Sequence, residues 1–120
     1  MRVLVDHCGR PTPEAGLGQP GFQALLRLAQ SGRVAVKLSG YAKFSLEAHP
    51  YRDIQPYVDA LLDAFTPART LWASDWPFLR APERIDVGPL LALAESLLAD
   101  TNVRRAVLWE TPCALLGFAC

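Results

Sequence analysis

The chain has 120 residues, 51% of them hydrophobic, and its 12 basic and 12 acidic side chains give a formal net charge of zero. This composition suffices for the core of one small domain and argues against nucleic acid or a membrane surface as the main partner. No apolar run approaches the roughly 18 residues that span a bilayer, and the three cysteines have no CxxC spacing, which argues against a disulfide scaffold or a zinc knuckle. A reducing, cytoplasmic location is therefore expected.

Three short apolar runs predict β-strands, and amphipathic repeats after them predict helices. The strands are expected at residues 3–5, 34–38 and 70–73. The helices are expected over residues 22–29, 54–65 and 87–98. A strand followed by a helix, repeated three times, predicts an α/β protein with parallel strands and right-handed helical crossovers.

Two shorter helices are expected near the C-terminus. The first covers residues 102–109, with Asp100 or Thr101 as its N-cap. The second starts at Thr111-Pro112, which are residue types typical of an N-cap and a first helical position, and it ends at Gly117.

The predicted loops differ in length according to which end of a strand they leave. The helix-to-strand links are short, at residues 31–33 and 66–69. The strand-to-helix links are long and rich in Gly and Pro, at residues 8–21, 40–53 and 76–86. Loops in α/β units usually have about 2–6 residues, and longer ones tend to be functional. A binding site is therefore expected at the carboxyl ends of the strands.

Reactive side chains follow each predicted strand at that edge. His7 follows the first strand, Ser39 and Tyr41 follow the second, and Asp75 follows the third. Histidine serves as a metal ligand or as an acid–base group near neutral pH. Asp75 can bind a divalent metal or take a proton from an attacking water. Taken alone, a histidine such as His7 is more often a hydrogen-bonded structural residue, and an aspartate such as Asp75 more often caps a turn. Their predicted position at the same edge of the sheet favours a functional role for both.

Cationic and thiol side chains near the same edge allow further roles. Arg10 and Lys37 suit a substrate carboxylate, Arg10 through its bidentate fork, although Lys37 can instead extend its ammonium to solvent. Cys8 beside His7 suggests a thiol nucleophile, but no Cys/His motif supports that role, so a small buried residue is expected. His49 is expected to be an exposed loop residue.

Four motifs, in order along the chain, resemble the amidohydrolase-related family of metal-dependent hydrolases, and within it the 2-pyrone-4,6-dicarboxylate lactonase branch. The motifs are "VDHCGRP" at 5–11, "VKLSGY" at 36–41, "WASDWPF" at 72–78 and "ETPCALLGF" at 110–118. The resemblance covers essentially the whole chain. It implies a partial TIM barrel, with residues 1–120 forming the last three βα units and the C-terminal helices of an amidohydrolase-type barrel.

The resemblance also implies roles for individual residues in hydrolysis of a small carboxylated lactone or a similar ester or amide. Asp75 matches the aspartate that activates the hydrolytic water, and His7 matches an active-site histidine that polarises the substrate. The substrate-binding residues are expected to be Arg10, Ser39, Tyr41, Lys43 and Trp76. The lactonase branch works without a bound metal and other relatives use zinc, so His7 and Asp75 are metal ligands only if a divalent metal such as zinc is bound.

The sequence departs from the family pattern in ways that leave alternatives open. It lacks the HxH pair that the family carries after its first strand, and a complete barrel needs about 250 residues. The second hypothesis is therefore a catalytically inactive half-barrel that self-associates through open sheet edges. A third is an open α/β binding domain unrelated to barrels, although no GxGxxG or P-loop motif supports it.

Overall fold

The computed structural model describes residues 3–120 and contains three strands and five α-helices within that range. In chain order these are β1 Val3–Val5, α1 Pro20–Leu28, β2 Val34–Leu38, α2 Gln55–Phe65, β3 Thr70–Trp72, α3 Val87–Leu97, α4 Thr101–Arg105 and α5 Thr111–Leu116. Within the described range, no helix combines the length and apolar character needed to cross a membrane.

The three strands form one parallel sheet in the order β1-β2-β3. Val3 pairs with Val34, and Val36 pairs with Thr70. A helix follows each strand, so the α/β class and the parallel arrangement are confirmed. The pairing continues one residue past β3, since the amide of Ala73 donates to the carbonyl of Leu38 at 3.2 Å.

The core lies between one face of this sheet and the helices. Val34, Val36 and Leu38 alternate along β2 and are buried in it. The ring of Phe22 on α1 meets Tyr57 of α2 edge to face, with ring centroids 5.0 Å apart. Side chains alternate across a strand, so Ala35 and Lys37 of β2 point to the opposite face of the sheet.

The C-terminal helices form one continuous helical segment instead of two separate ones. Asp100 caps α4, because its carboxylate accepts hydrogen bonds from the amides of Asn102 and Val103. A π-helical turn over Ala106–Glu110 then joins α4 to α5. The predicted N-cap role of Thr111 is wrong: its backbone is helical, and its buried hydroxyl donates to the carbonyl of Pro67 at 2.7 Å. That tertiary bond fixes the segment to the loop before β3.

Cysteine pairing also differs from the expectation. Cys113 and Cys120 form a disulfide with their Cα atoms 6.2 Å apart, whereas Cys8 is free and buried. Gly117 ends α5 in the left-handed conformation, as predicted, and this turns the chain back toward α5. A short terminal loop thus brings together two cysteines that have no recognisable spacing in the sequence.

Candidate active site

The carboxyl ends of the three strands bring together the side chains that the sequence singled out. His7 follows β1, Ser39 follows β2, and Asp75 follows β3 by a short turn. His7 and Asp75 both have positive φ angles, of 53° and 65°. Such backbone costs about 1–3 kcal/mol for a residue other than glycine, and it persists where the surroundings impose it. Both reactive side chains thus lie on strained backbone, which they share with other residues such as Tyr51 and Thr66.

His7 is held on both sides of its ring. Its Nδ1 lies 3.0 Å from the hydroxyl of the buried Ser39, and its Nε2 lies 3.6 Å from Oδ1 of Asp75. Gly40 packs against the ring so closely that a Cβ added there would come within 2.6 Å of Nδ1. Burial lowers the pKa of His7 below its ordinary value of 6.5; the Asp75 carboxylate opposes this shift and the Lys43 ammonium adds to it. Burial therefore favours the neutral imidazole of His7.

Asp75 is bound by Lys43 through both carboxylate oxygens. The ammonium lies 2.9 Å from Oδ1 and 2.7 Å from Oδ2. The two side chains are only 10% and 14% exposed, so solvent screens this pair less than a surface ion pair. A carboxylate has about four lone-pair sites. Asp75 therefore keeps acceptor capacity toward the mouth of the site, on the side of His7.

A second ion pair, between Lys37 and Asp6, lies at the same edge of the sheet. The ammonium of Lys37 lies 2.5 Å from Oδ1 of Asp6. Lys37 is a charged residue within an otherwise apolar strand, and Asp6 at the end of β1 pairs with its ammonium. The hydrogen bond from Lys37 lowers the pKa of Asp6 below its ordinary value, with desolvation acting in the opposite sense.

The remaining predicted substrate contacts lie around this cluster with different exposures. Tyr41 is buried, and its hydroxyl has no hydrogen-bond partner among residues 3–120; it lines a small pocket together with Asp75. Arg10 is exposed and lines an open groove that also includes Lys43. Trp76 is 72% exposed and lies next to Asp75 in the chain. Of the predicted set, Ser39 and Lys43 directly contact His7 and Asp75.

Residues 3–120 do not by themselves supply the full ligand set of a divalent metal site. Residues 3–120 contain no group of three or more His, Cys, Asp or Glu side chains placed to hold one. His7 and Asp75 supply two donors, and the Lys43 ammonium already lies on both oxygens of Asp75. A protein zinc site normally uses three or four protein ligands. The described part of the chain thus provides no metal centre of its own.

Two contacts in the site were not predicted from the sequence. Lys43 was expected to bind substrate, and its pairing with Asp75 arises because a turn after β2 returns it toward β3. Gly40 was not singled out, although a glycine directly after a strand and a serine was the available signal. Cys8, in contrast, is buried as expected, and burial raises the pKa of its thiol to about 12.

Comparisons with known proteins agree with the family resemblance of the sequence motifs. A family model described as Amidohydrolase matches residues 1–118. The 4-sulfomuconolactone hydrolase of Rhizobium radiobacter is 36% identical over 118 residues, covering 96% of this chain and 39% of that protein. The L-fucono-1,5-lactonase of Burkholderia ambifaria is 35% identical over 99 residues, covering 79% of this chain and 33% of that protein.

Solved structures match the fold over almost the whole chain. One is a Pseudomonas putida protein assigned as a 2-pyrone-4,6-dicarboxylic acid hydrolase, with a TM-score of 0.88, 33% identity, and coverage of 100% of this chain and 44% of that one. Another is an amidohydrolase from Burkholderia multivorans with bound zinc, with a TM-score of 0.81, 26% identity, and coverage of 98% and 44%.

The chain spans between a third and two fifths of the length of the curated relatives named above, at 33% and 39%. Its three βα units correspond to part of a TIM barrel, as the motifs predicted. With a family model matching nearly its whole length and relatives of the lactonase branch on both sequence and structure, the chain belongs to the amidohydrolase family.

Proposed function

We propose that the barrel containing this chain hydrolyses a small anionic lactone by direct attack of water on the carbonyl carbon. The observation that carries the proposal is the cluster of His7, Asp75 and Lys43 at the carboxyl ends of the strands. Asp75 accepts the proton of the attacking water, because its carboxylate retains free lone pairs beside His7. The relatives named as lactone hydrolases support this reaction class.

His7 would polarise the lactone carbonyl. Its neutral ring has one N–H donor, and the partner of each nitrogen determines which one carries it. Because Nε2 faces a carboxylate that can only accept, the proton is assigned to Nε2, and the Ser39 hydroxyl then donates to Nδ1. The same Nε2–H can donate to a substrate carbonyl oxygen that enters the mouth beside the two residues. When the tetrahedral intermediate collapses, the ring C–O bond breaks and protonated Asp75 returns its proton to the leaving ring oxygen. The products are a hydroxyl group and a carboxylate.

The substrate anion would be bound by the cations at the mouth. Lys43 has three N–H donors, so its ammonium can pair with Asp75 and also meet a substrate anion. Arg10 lines the adjoining groove and offers a bidentate fork for a carboxylate or sulfonate. Ser39, Tyr41 and Trp76 would complete the binding surface. The names of relatives, 4-sulfomuconolactone hydrolase and 2-pyrone-4,6-dicarboxylate hydrolase, match an anionic lactone.

The test uses a chimera in which residues 1–118 replace the matching segment of the Rhizobium radiobacter relative. Asp75→Asn should lower kcat by about 10³-fold, the range expected for loss of a general base, while circular dichroism still shows the wild-type fold. Asp59→Asn on the exposed side of α2 is the matched control and should retain full turnover. Wild-type turnover in the Asp75→Asn chimera would remove Asp75 from the mechanism.

A non-catalytic chain is the alternative, and the coverage of 39% of a relative is the observation that favours it. A chimera that folds and has no activity on any anionic or neutral sugar lactone would support this alternative. Activity that depends on Asp75 would exclude it for the barrel as a whole.

A further inference from the structure

We propose that Cys113 and Cys120 form a reversible redox site, which exchanges its disulfide with small thiols and disulfides of the glutathione class. The bond closes residues 113–120 into a ring, which we name the terminal clasp. The clasp lies at the amino-terminal ends of the strands, because Leu115 within it lines a cavity together with Val3, the first residue of β1. It is therefore remote from the candidate active site at the carboxyl ends, and the proposal does not rest on the proposed function.

Backbone hydrogen bonds, and not the disulfide alone, bring the two cysteines together. Gly117 ends α5 with a φ of 77°, in the left-handed region. The amides of Gly117 and Phe118 then both donate to the carbonyl of Cys113, at 3.0 and 3.1 Å. The Cα atoms of Cys113 and Cys120 lie 6.2 Å apart, inside the range of about 4.4–6.8 Å that a disulfide bridges. Because these hydrogen bonds do not involve sulfur, the turn also keeps the two thiols within reach of each other in the reduced chain.

The three cysteines of the chain differ in their access to solvent. Cys120 is exposed and Cys113 is half-buried, whereas Cys8 is free and fully buried. Burial raises the pKa of the Cys8 thiol to about 12, so Cys8 stays protonated in neutral solution. Thiol–disulfide exchange requires a thiolate and access to the sulfur that is attacked. Small thiols and disulfides can therefore reach the terminal clasp but not Cys8.

Oxidation of the clasp consists of two exchange steps. The thiolate of Cys120 attacks one sulfur of oxidised glutathione, which forms a mixed disulfide and releases one glutathione thiolate. The thiolate of Cys113 then attacks the Cys120 sulfur of the mixed disulfide and releases the second glutathione thiolate. The two protons that the protein thiols give up are taken by these leaving thiolates. Two protein thiols thus become one disulfide while one glutathione disulfide becomes two thiols, and an excess of reduced glutathione reverses both steps.

The redox state of the clasp should change the stability of the fold. A disulfide restricts the unfolded chain, and a ring this short gives a stabilisation at the lower end of the usual range. Leu115 and Leu116, inside the ring, line an apolar cavity of about 180 Å³ together with Val3 and Leu4 of β1. Opening the ring therefore removes a restraint on side chains that lie against the first strand. We expect oxidation to raise the melting temperature by about 5–10 °C.

The test is a titration of the 120-residue chain in buffers that range from fully reduced to fully oxidised glutathione. After rapid removal of glutathione, brief treatment with a maleimide under native conditions and mass spectrometry of the digested chain locate the free thiols. The reduced chain should take up label at Cys113 and Cys120, the oxidised chain at neither, and Cys8 should be labelled only after denaturation. The transition should be the same whether the titration starts from the dithiol or from the disulfide.

Three variants locate the effect. Cys120→Ser should abolish the redox-dependent shift of the melting temperature, and Cys8→Ala, the matched control, should keep that shift in full. Gly117→Ala tests the turn, because nothing lies within 4 Å of the added Cβ and left-handed strain is its only cost. This strain weakens the turn that holds the thiols together, so the equilibrium constant for oxidation of the clasp should fall at least about fivefold.

Three results would overturn the proposal. The first is a bond between Cys113 and Cys120 that persists in an excess of reduced glutathione, because the disulfide would then be permanent. The second is a pair that stays reduced in pure oxidised glutathione. The third is a redox-dependent shift in Cys120→Ser equal to that of the wild type. Lactonase activity of the chimera enters none of these readouts, so this proposal and the proposed function fail separately.

Discussion

At the scale of single residues, the site is built on backbone that side chains rarely adopt. His7, Cys8 and Arg10 in the turn after β1 all have positive φ, as does Asp75 after β3. Gly40 approaches the His7 ring from the end of β2, with φ of 64°. These positions make the two reactive side chains converge, and the strain is maintained by the packing beneath them.

Because Gly40 packs against the His7 ring, we expect alanine at Gly40 to cost more stability than alanine at a glycine with open space around it. Gly40→Ala should destabilise the fold by about 2–4 kcal/mol, because it adds a clash to the left-handed strain of about 1–2 kcal/mol. Gly32→Ala is the matched control: its φ is 67°, and nothing lies within 4 Å of the added Cβ, so it should show the strain alone. Urea unfolding measures both, and equal losses would contradict the contact with His7.

The lowered pKa of His7 predicts a pH dependence of stability. Below its ordinary pKa of 6.5, the unfolded chain takes up a proton that the folded chain does not. The free energy of unfolding should therefore fall as pH drops from about 7 to 5, in addition to any change due to carboxylates. His7→Asn should reduce this slope, and His49→Asn should not. Denaturant titrations at several pH values provide the measurement, and an unchanged slope in His7→Asn would refute the assignment.

At the scale of elements, the C-terminal helical segment contacts the sheet at the amino-terminal end of β3. The hydroxyl of Thr111 bonds to Pro67 just before β3. Arg69, directly before the same strand, donates to the carbonyl of Ala29 at 2.6 Å, and its guanidinium lies over the ring of Phe65. These contacts hold β3 at the position from which its far end delivers Asp75.

Helix capping differs between the two aspartates that precede α3 and α4. Asp100→Ala should cost about 1 kcal/mol, because two amides lose the carboxylate that accepts their hydrogen bonds. Asp86 occupies the N-cap of α3 with extended backbone but makes no side-chain cap bond, so Asp86→Ala should cost less. Thermal unfolding of the two variants decides the matter, and equal losses would argue against a specific cap at Asp100.

At the scale of the whole molecule, the described sheet has two edge strands, each without a neighbouring strand on its outer side. β1 and β3 are the outer strands of the order β1-β2-β3, and Val3 and Leu4 on β1 are exposed. An exposed, flat strand edge is a template for pairing with another chain. In a full barrel, eight strands close and no edge is left.

The open edge predicts self-association of the isolated chain. Sedimentation over a range of concentrations should reveal oligomers of the wild type, and Leu4→Lys should shift them toward monomer, because charge on an edge strand opposes pairing. Leu28→Lys, on an exposed part of α1, is the control and should have little effect. A wild-type chain that stays monomeric at every concentration would contradict the prediction.

Much of the fold and part of the site followed from local signals. The apolar runs predicted β1 and β2 with their observed bounds, and long loops on one side predicted where His7, Ser39 and Asp75 would meet. Thr111 was misjudged, because its residue type favours a cap while its hydroxyl bonds a residue 44 positions away. The pairing of Cys113 with Cys120 was also missed, since a left-handed turn and not a spacing motif brings them together.

The sequence by itself determined the α/β order, the family and the identity of the residues at the strand ends, because hydrophobic periodicity and short motifs are written along the chain. Only the tertiary structure decided which of these side chains contact each other. Lys43 and Asp75 are 32 residues apart in the chain, and their contact exists because parallel strands place consecutive strand ends side by side. The charge balance of the site is a property of that packing.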